Sequence, residues 1–335
     1  MLRLPKRFRK QARLSIIFII DPPEIDEWAI PLLCSLKLHA PKDAELIAYV
    51  PDWKLPLITP SVRALMDEVG VRIEYFDSTR NDRLFASPYP IGNKIIACQA
   101  KRHTERTLFL DTDVFLNAPL DTEALFAGKD VAACPAEYNS FSNKSQDWSP
   151  VYDLFDLELP EKSMISTRSG KQMYPYFNAG VIGFSQTSNF AEIWADTASR
   201  IDNAKIDIAK RPWLDQIALP VALARLQIDP MPLGPEWNFA LNGMKTGRDL
   251  EPNMRIVHFH LVRFLKFKHS HARVLEILKA IMGPKKLLEI AETAISERNE
   301  MLAGLPDGPA MRYEREVLEY AQKLSNRRRE QLVGF

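Results

Sequence analysis

The stretch RTLFLDTDVFLNAPL, residues Arg106 to Leu120, carries an unbroken apolar run into two carboxylates, Asp111 and Asp113, set one residue apart. Such a run, apolar without alternation, suits a central strand of a parallel sheet buried on both faces. Ligands in such sheets bind beyond the carboxyl ends of the strands, where the chain leaves the core. The two acids stand at that address. In an extended segment residues i and i+2 project from one side, so Asp111 and Asp113 converge while Thr112 points away. Paired carboxylates repel each other unless a cation lies between them, and Mg2+ or Mn2+ meets that need while keeping positions open for phosphate oxygens. Taken alone, D-x-D is a common tripeptide, and a solvated strand end is the plain alternative.

The sequence before this stretch supplies the sheet. LSIIFII, from Leu14, is stopped by Asp21-Pro22-Pro23, and IDEWAIPLLCSLKLH then has helical spacing. AELIAYVP is a second strand. PSVRALMDEVG is a helix with Pro60 near its start and Gly70 at its end, and VRIEYF is a third strand. Strand and helix in alternation predict an α/β fold, a mainly parallel sheet with helices on both faces. A further helix spans roughly residues 92–101. Residues 136–174 turn polar and irregular, as an insertion or lid would, with Tyr138, Trp148 and Tyr152 as candidates for stacking on sugar rings. YFNAGVIGF, NFAEIWADTASRI, LDQIALPVALARL, EWNFALN and MRIVHFHLV follow as strand, helix, helix, a compact segment and strand. The expected division is a domain over 1–270 and a C-terminal helical extension over 271–335.

Forty-four basic against forty-three acidic residues leave a net charge of +1, so no global field points to nucleic acid. Cys34, Cys98 and Cys134 are far apart in apolar contexts, as reduced buried thiols of a cytoplasmic protein would be. RLSIIFII follows basic residues as a signal peptide would. Its apolar run is short and meets no small-residue cleavage site, which favours a buried strand. No run has the length of a membrane span.

Four further features gather around the acid pair. His258 and His260 lie i and i+2 on one expected strand, and imidazole is a usual Mn2+ ligand. Lys266 follows His260 by six residues, where an ammonium could reach a phosphate. Asn178 offers donor and acceptor just before Gly180, whose missing side chain permits close approach. Asp215 and Gln216 can bind sugar hydroxyls, or cap the helix they begin.

In this order the features resemble the GT-A nucleotide-sugar glycosyltransferases, most closely the glycogenin-like family 8, over residues 14–268. The matching segments are LLCSLKLHAPKDAELIAYV, GNKIIACQ before RTLFLDTDVFL, FNAGVIGF, LDQ, and a histidine followed by a lysine. The resemblance implies that Asp111 contacts donor ribose and metal, with Thr112 beside it on the donor side, and that Asp113 is the principal metal carboxylate. The six-residue spacing to Lys266 selects His260 as the histidine ligand and the VHF lead-in selects His258; both are kept, with His260 slightly preferred. Lys94 matches a lysine near donor phosphates and sugar, Asn178, Asp215 and Gln216 match positions that bind the transferred sugar, and Asp21 falls where the nucleoside is held. HLVRFLKFKH lacks the glycine and Pro-Trp common around the family's last lysine, which leaves a related GT-A family open.

The activity implied is metal-dependent transfer of a sugar, UDP-linked by preference, to a carbohydrate, glycolipid or protein acceptor, with retention favoured over inversion. A sugar-phosphate nucleotidyltransferase and a non-catalytic carbohydrate-binding protein are the alternatives. The first normally has a Gly-rich basic loop where this chain has DPPEIDEW. The basic RLPKRFRK and the C-terminal helices leave a peripheral membrane contact open, although their mixed charge favours a solvated extension.

Overall fold

The structure, a computed structural model, describes residues 13–22, 25–136, 147–166, 170–242, 248–261, 264–265 and 267–282. In chain order the first half comprises β1 (Leu14–Ile19), α1 (Ala29–His39), β2 (Glu45–Pro51), α2 (Pro60–Val69), β3 (Arg72–Phe76), α3 (Thr79–Leu84), α4 (Asn93–Cys98), β4 (Arg106–Leu110) and β5 (Val114–Leu116). Then follow α5 (Thr122–Phe126), β6 (Val131–Pro135), α6 (Ser149–Asp153), the hairpin β7 (Met164–Ile165) and β8 (Gln172–Met173), and β9 (Phe177–Ser185). Helices α7 (Phe190–Asn203) and α8 (Leu214–Leu226) precede the short β10 (Met231–Pro232), β11 (Phe239–Ala240) and β12 (Ile256–His258). Residues 268–282 are helical.

The main sheet has seven strands in the order β10-β6-β9-β4-β1-β2-β3. β3, β2, β1 and β4 run parallel, and β9 enters antiparallel between β4 and β6. The sheet divides two cores. On β1, Leu14, Ile16 and Phe18 face α1, α2 and the small sheet, while Ile17 and Ile19 face α4, α7 and α8. Each such aliphatic side chain withdrawn from water contributes about 1.5–3 kcal/mol, so β1, buried at every position, anchors both layers. The α/β reading with helices on both faces is what the structure shows. Gly70 ends α2 in the left-handed region, at φ 86°.

The acids sit where the chain passes between sheets. After β4 it turns at Asp111-Thr112-Asp113 and enters β5, which belongs to a second sheet, β11-β12-β5. The expectation of an extended D-x-D segment is therefore wrong in its premise: residues 111–113 form a turn. Its conclusion survives because the turn bends both carboxylates to one side. The hydroxyl of Thr112 points the other way and donates to the Ile19 carbonyl, tying the end of β4 to the end of β1.

One other expectation changes. Trp148 and Tyr152 do not offer faces to a sugar; they are buried, with ring centroids 6.3 Å apart, and anchor α6 in the core. Tyr138 lies outside the described residues, as do most of the C-terminal extension and the basic start. The helix at 268–282 packs Val274 and Ile277 into the core that also holds α1. Among the described residues no helix is long and apolar enough to cross a membrane. Cys34, Cys98 and Cys134 are buried, and no disulfide joins any of them.

Candidate active site

Three strands deliver the centre of the site. The turn after β4 brings Asp111 and Asp113, the end of β12 brings His258, and β9 passes beneath them at Gly180. Backbone bonds fix the junction: the Asp111 N–H donates to the Gly180 carbonyl at 2.8 Å and the Phe259 N–H to the Asp113 carbonyl at 2.9 Å. One ligand atom from each of Asp111, Asp113 and His258 lies within 4.8 Å of the others. His258 Nε2 is 3.2 Å from Asp113 Oδ1 and 4.0 Å from Asp111 Oδ2.

His260, the preferred histidine of the sequence reading, stands outside this cluster. β12 ends at His258, and His260 takes a left-handed backbone with φ 59°, so the two imidazoles do not share a strand face. Instead the ring of His260 stacks on that of His258, centroids 3.8 Å apart, and its Nδ1 bonds the His258 carbonyl at 3.1 Å.

Lys94, from α4, is buried beneath the acids. Its ammonium lies 2.7 Å from Asp111 Oδ1 and 3.4 Å from Asp215 Oδ2, and bonds the Ala179 carbonyl at 3.3 Å. A lysine has three N–H donors, and these three contacts use them. Lys94, expected near the donor phosphates and sugar, holds two carboxylates of the site together from below. Asp215 does not cap α8 either; its other oxygen takes a hydrogen bond from the Tyr89 hydroxyl at 2.9 Å. Tyr89 was not singled out by the sequence, where it is one aromatic between two prolines.

Charge is balanced in pairs. Burial opposes the Lys94 charge, but Asp111 and then Asp215 outweigh it and raise its pKa. Asp111 itself is raised, by burial and by Asp113, against the pull of Lys94. Burial would also raise Asp113, yet His258 and His260 hold it well below the usual carboxylate range. His258 is raised in turn, because Asp113 overcomes the effect of its burial. An acid cluster at a sheet end, joined by an imidazole that would give up its Nε2 proton to a metal, has the chemistry of a cation site.

These groups open on a cavity of about 440 Å3 whose lining includes Asp111, Asp113, Asn178, Asp215, Gln216, Asn238, Arg248, His258 and His260. Arg248, another residue the sequence did not flag, lies over the Phe239 ring at 3.8 Å and donates from Nε to the Ala240 carbonyl at 2.8 Å. Asp21 is paired with Lys54 at 2.7 Å, at the end of β1 beside this region. Lys266 lies outside the described residues.

A family model described as the Rhodobacterales glycosyltransferase domain matches residues 16–227, more than half of the chain. The chain belongs to this family. The Rhodobacterales glycosyltransferase domain thus takes in Lys94, Asp111, Asp113, Asn178, Asp215 and Gln216, while His258 lies beyond the matched residues. Among solved structures, an active-site mutant of LgtC is similar with a TM-score of 0.50 and 11% identity, over 80% of this chain and 96% of that one. The galactosyltransferase LgtC in complex with donor and acceptor sugar analogs gives 0.49 and 12%, over 80% and 96%. Mouse xyloside xylosyltransferase 1 gives 0.46 and 12%, over 73% and 97%. The fold is a GT-A glycosyltransferase fold. No curated protein matches the chain.

Proposed function

We propose that this glycosyltransferase is metal-dependent and retaining, of the glycogenin-like family 8 type, and moves a hexose from a nucleotide-diphosphate donor, UDP by preference, to an acceptor hydroxyl. The observation that carries the reading is the convergence of Asp111, Asp113 and His258 at the carboxyl end of β4 on a cavity that also holds Asp215 and Gln216. Two carboxylates and an imidazole suit Mn2+, with Mg2+ as the other candidate. Gly180 adds to the fit: a Cβ there would lie 2.6 Å from His258 Cε1 and 2.9 Å from Asp111 Oδ2, so the ligands sit where only glycine allows them.

A metal ion held by Asp111, Asp113 and His258 would neutralise the donor diphosphate and stabilise it as a leaving group. The remaining work falls to the protein. Arg248 adds a positive charge to the cavity for the phosphates, as Lys266 would from the sequence resemblance. Gln216 and Asp215 face the hydroxyls of the transferred sugar, with Lys94 and Tyr89 holding Asp215 in place. Retention is favoured because inversion needs a carboxylate base opposite the leaving group. Among the described residues lining the cavity the acids are Asp111, Asp113 and Asp215, and each is engaged by Lys94, His258 or Tyr89. The acceptor proton then goes to the departing phosphate.

In this reading residues 1–270 form the transferase domain and 271–335 an extension that begins docked on it. The acceptor is a carbohydrate, a glycolipid or a protein. The test is incubation with Mn2+ and a panel of nucleotide sugars, following release of nucleotide diphosphate and the anomeric configuration of the product by NMR. Turnover abolished by chelator and by Asp113→Ala, with the donor configuration kept, is expected. Turnover indifferent to both would overturn metal dependence, and an inverted product would overturn retention.

A further inference from the structure

A chain of hydrogen bonds runs beneath the metal-site histidine. It begins at a group whose polarity cannot be reversed: the backbone N–H of Gly180 donates to Asn178 Oδ1 at 2.8 Å. This fixes the Asn178 amide, with its oxygen inward. Asn238, sixty residues on in sequence, approaches the same oxygen at 2.7 Å and must present its Nδ2 there, since two carbonyl oxygens cannot bond. The Asn238 oxygen is thereby turned toward His258, whose Nδ1 lies 3.0 Å away. An oxygen only accepts, so Nδ1 must carry the proton.

From this we infer that Asn238 is a positioning residue, which fixes His258 with a proton on Nδ1 and so aims the Nε2 lone pair at Asp111 and Asp113 for a metal. A ligand imidazole is ordinarily oriented by a partner on its second nitrogen, and loss of that partner weakens metal binding about 10–100-fold. Here the partner is a neutral amide, and its own orientation is set by a backbone N–H from the neighbouring sheet. The sequence carries no sign of it, since Asn178, Asn238 and His258 come from β9, the entry to β11 and β12. The inference rests on the metal reading above. Asn178 gains a second role from the same chain, because its Oδ1 is shared between the Gly180 and Asn238 donors.

The experiment compares wild type, Asn238→Leu and Asn238→Gln by two readouts: titration with Mn2+ alone, and NMR detection of the His258 Nδ1–H in metal-free protein. In wild type the Nδ1–H signal is expected to exchange slowly. In Asn238→Leu, of similar size but without an acceptor, it should exchange faster, and Mn2+ should bind about 10–100-fold more weakly. Asn238→Gln keeps both an amide donor for Asn178 and an acceptor for Nδ1 and should bind Mn2+ within a few-fold of wild type, which a purely structural loss would not allow. Unchanged Mn2+ affinity and Nδ1–H exchange in Asn238→Leu would overturn the inference, as would equal weakening in both variants. Failure of wild type itself to bind Mn2+ would instead overturn the metal reading.

Discussion

At the scale of single residues the site is built by exclusion as much as by ligands. Gly180 is the clearest case, since a methyl group there would fall within contact distance of both His258 and Asp111. Gly180→Ala is expected to leave the fold intact by circular dichroism and to reduce sugar transfer at least tenfold by pushing the ligands apart, as an assay of nucleotide release would show. Lys94 has the opposite importance. Removing one partner of a buried ion pair strands the other charge, at about 3–5 kcal/mol. Lys94 holds two such partners, Asp111 and Asp215, with only a tenth of its own side chain exposed. Lys94→Met should therefore lower stability toward urea by about that amount, whereas Asp113→Ala, which removes an acid, should cost less.

At the scale of elements, the helix at 268–282 is tied to the domain by a carboxylate outside it. Asp249 accepts from the backbone N–H groups of His269 at 3.0 Å and Ser270 at 2.9 Å, at the start of that helix, and from the Ser270 hydroxyl at 2.9 Å. Burial alone would raise the Asp249 pKa, but these bonds outweigh it and bring it to about 2. A carboxylate depressed in the folded state stabilises fully above its unfolded pKa, about 3.9, and stops doing so as pH falls through its folded value. The contribution of Asp249 should thus be complete above about pH 4 and disappear toward about pH 2. Asp249→Ala should cost about 1 kcal/mol, as for the loss of a helix cap, in denaturant melts at pH 7 and only a small part of that at pH 2, where the folded carboxylate is half protonated. The passage from β4 into β5 matters at the same scale. It was legible as a strand end bearing acids, but the switch between two sheets was not, because three-residue β5 has no periodicity of its own.

At the scale of the molecule, metal binding and stability are linked. An ion that binds the folded site and not the unfolded chain stabilises by about 2.7 kcal/mol at 100 times its Kd. Calorimetry should show the melting temperature rising with Mn2+ in wild type, and the rise should vanish in Asp113→Ala. An equal rise in both proteins would place the ion elsewhere. The two cores on either face of the main sheet also explain why the aromatic residues of the irregular segment could not be assigned from sequence. Trp148 and Tyr152 lie in a polar stretch, and only the packing of α6 against the second core reveals them as buried anchors.

The sequence by itself determined the α/β class and the strand that ends in the acid pair, because apolar runs and helix boundaries are local properties of the chain; of the residues lining the cavity it singled out Asp111, Asp113, Asn178, Asp215, Gln216, His258 and His260 but not Asn238 or Arg248. Which histidine joins the acids was decided only in the tertiary structure. Residues 258 and 260 look equivalent as i and i+2, and the left-handed turn at His260 that separates them comes after β12 has been placed. The roles of Lys94 and Asn238 were decided there as well. Each depends on partners brought together from distant strands and helices, and a hydrogen bond across sixty residues leaves no pattern in the sequence on either side of it.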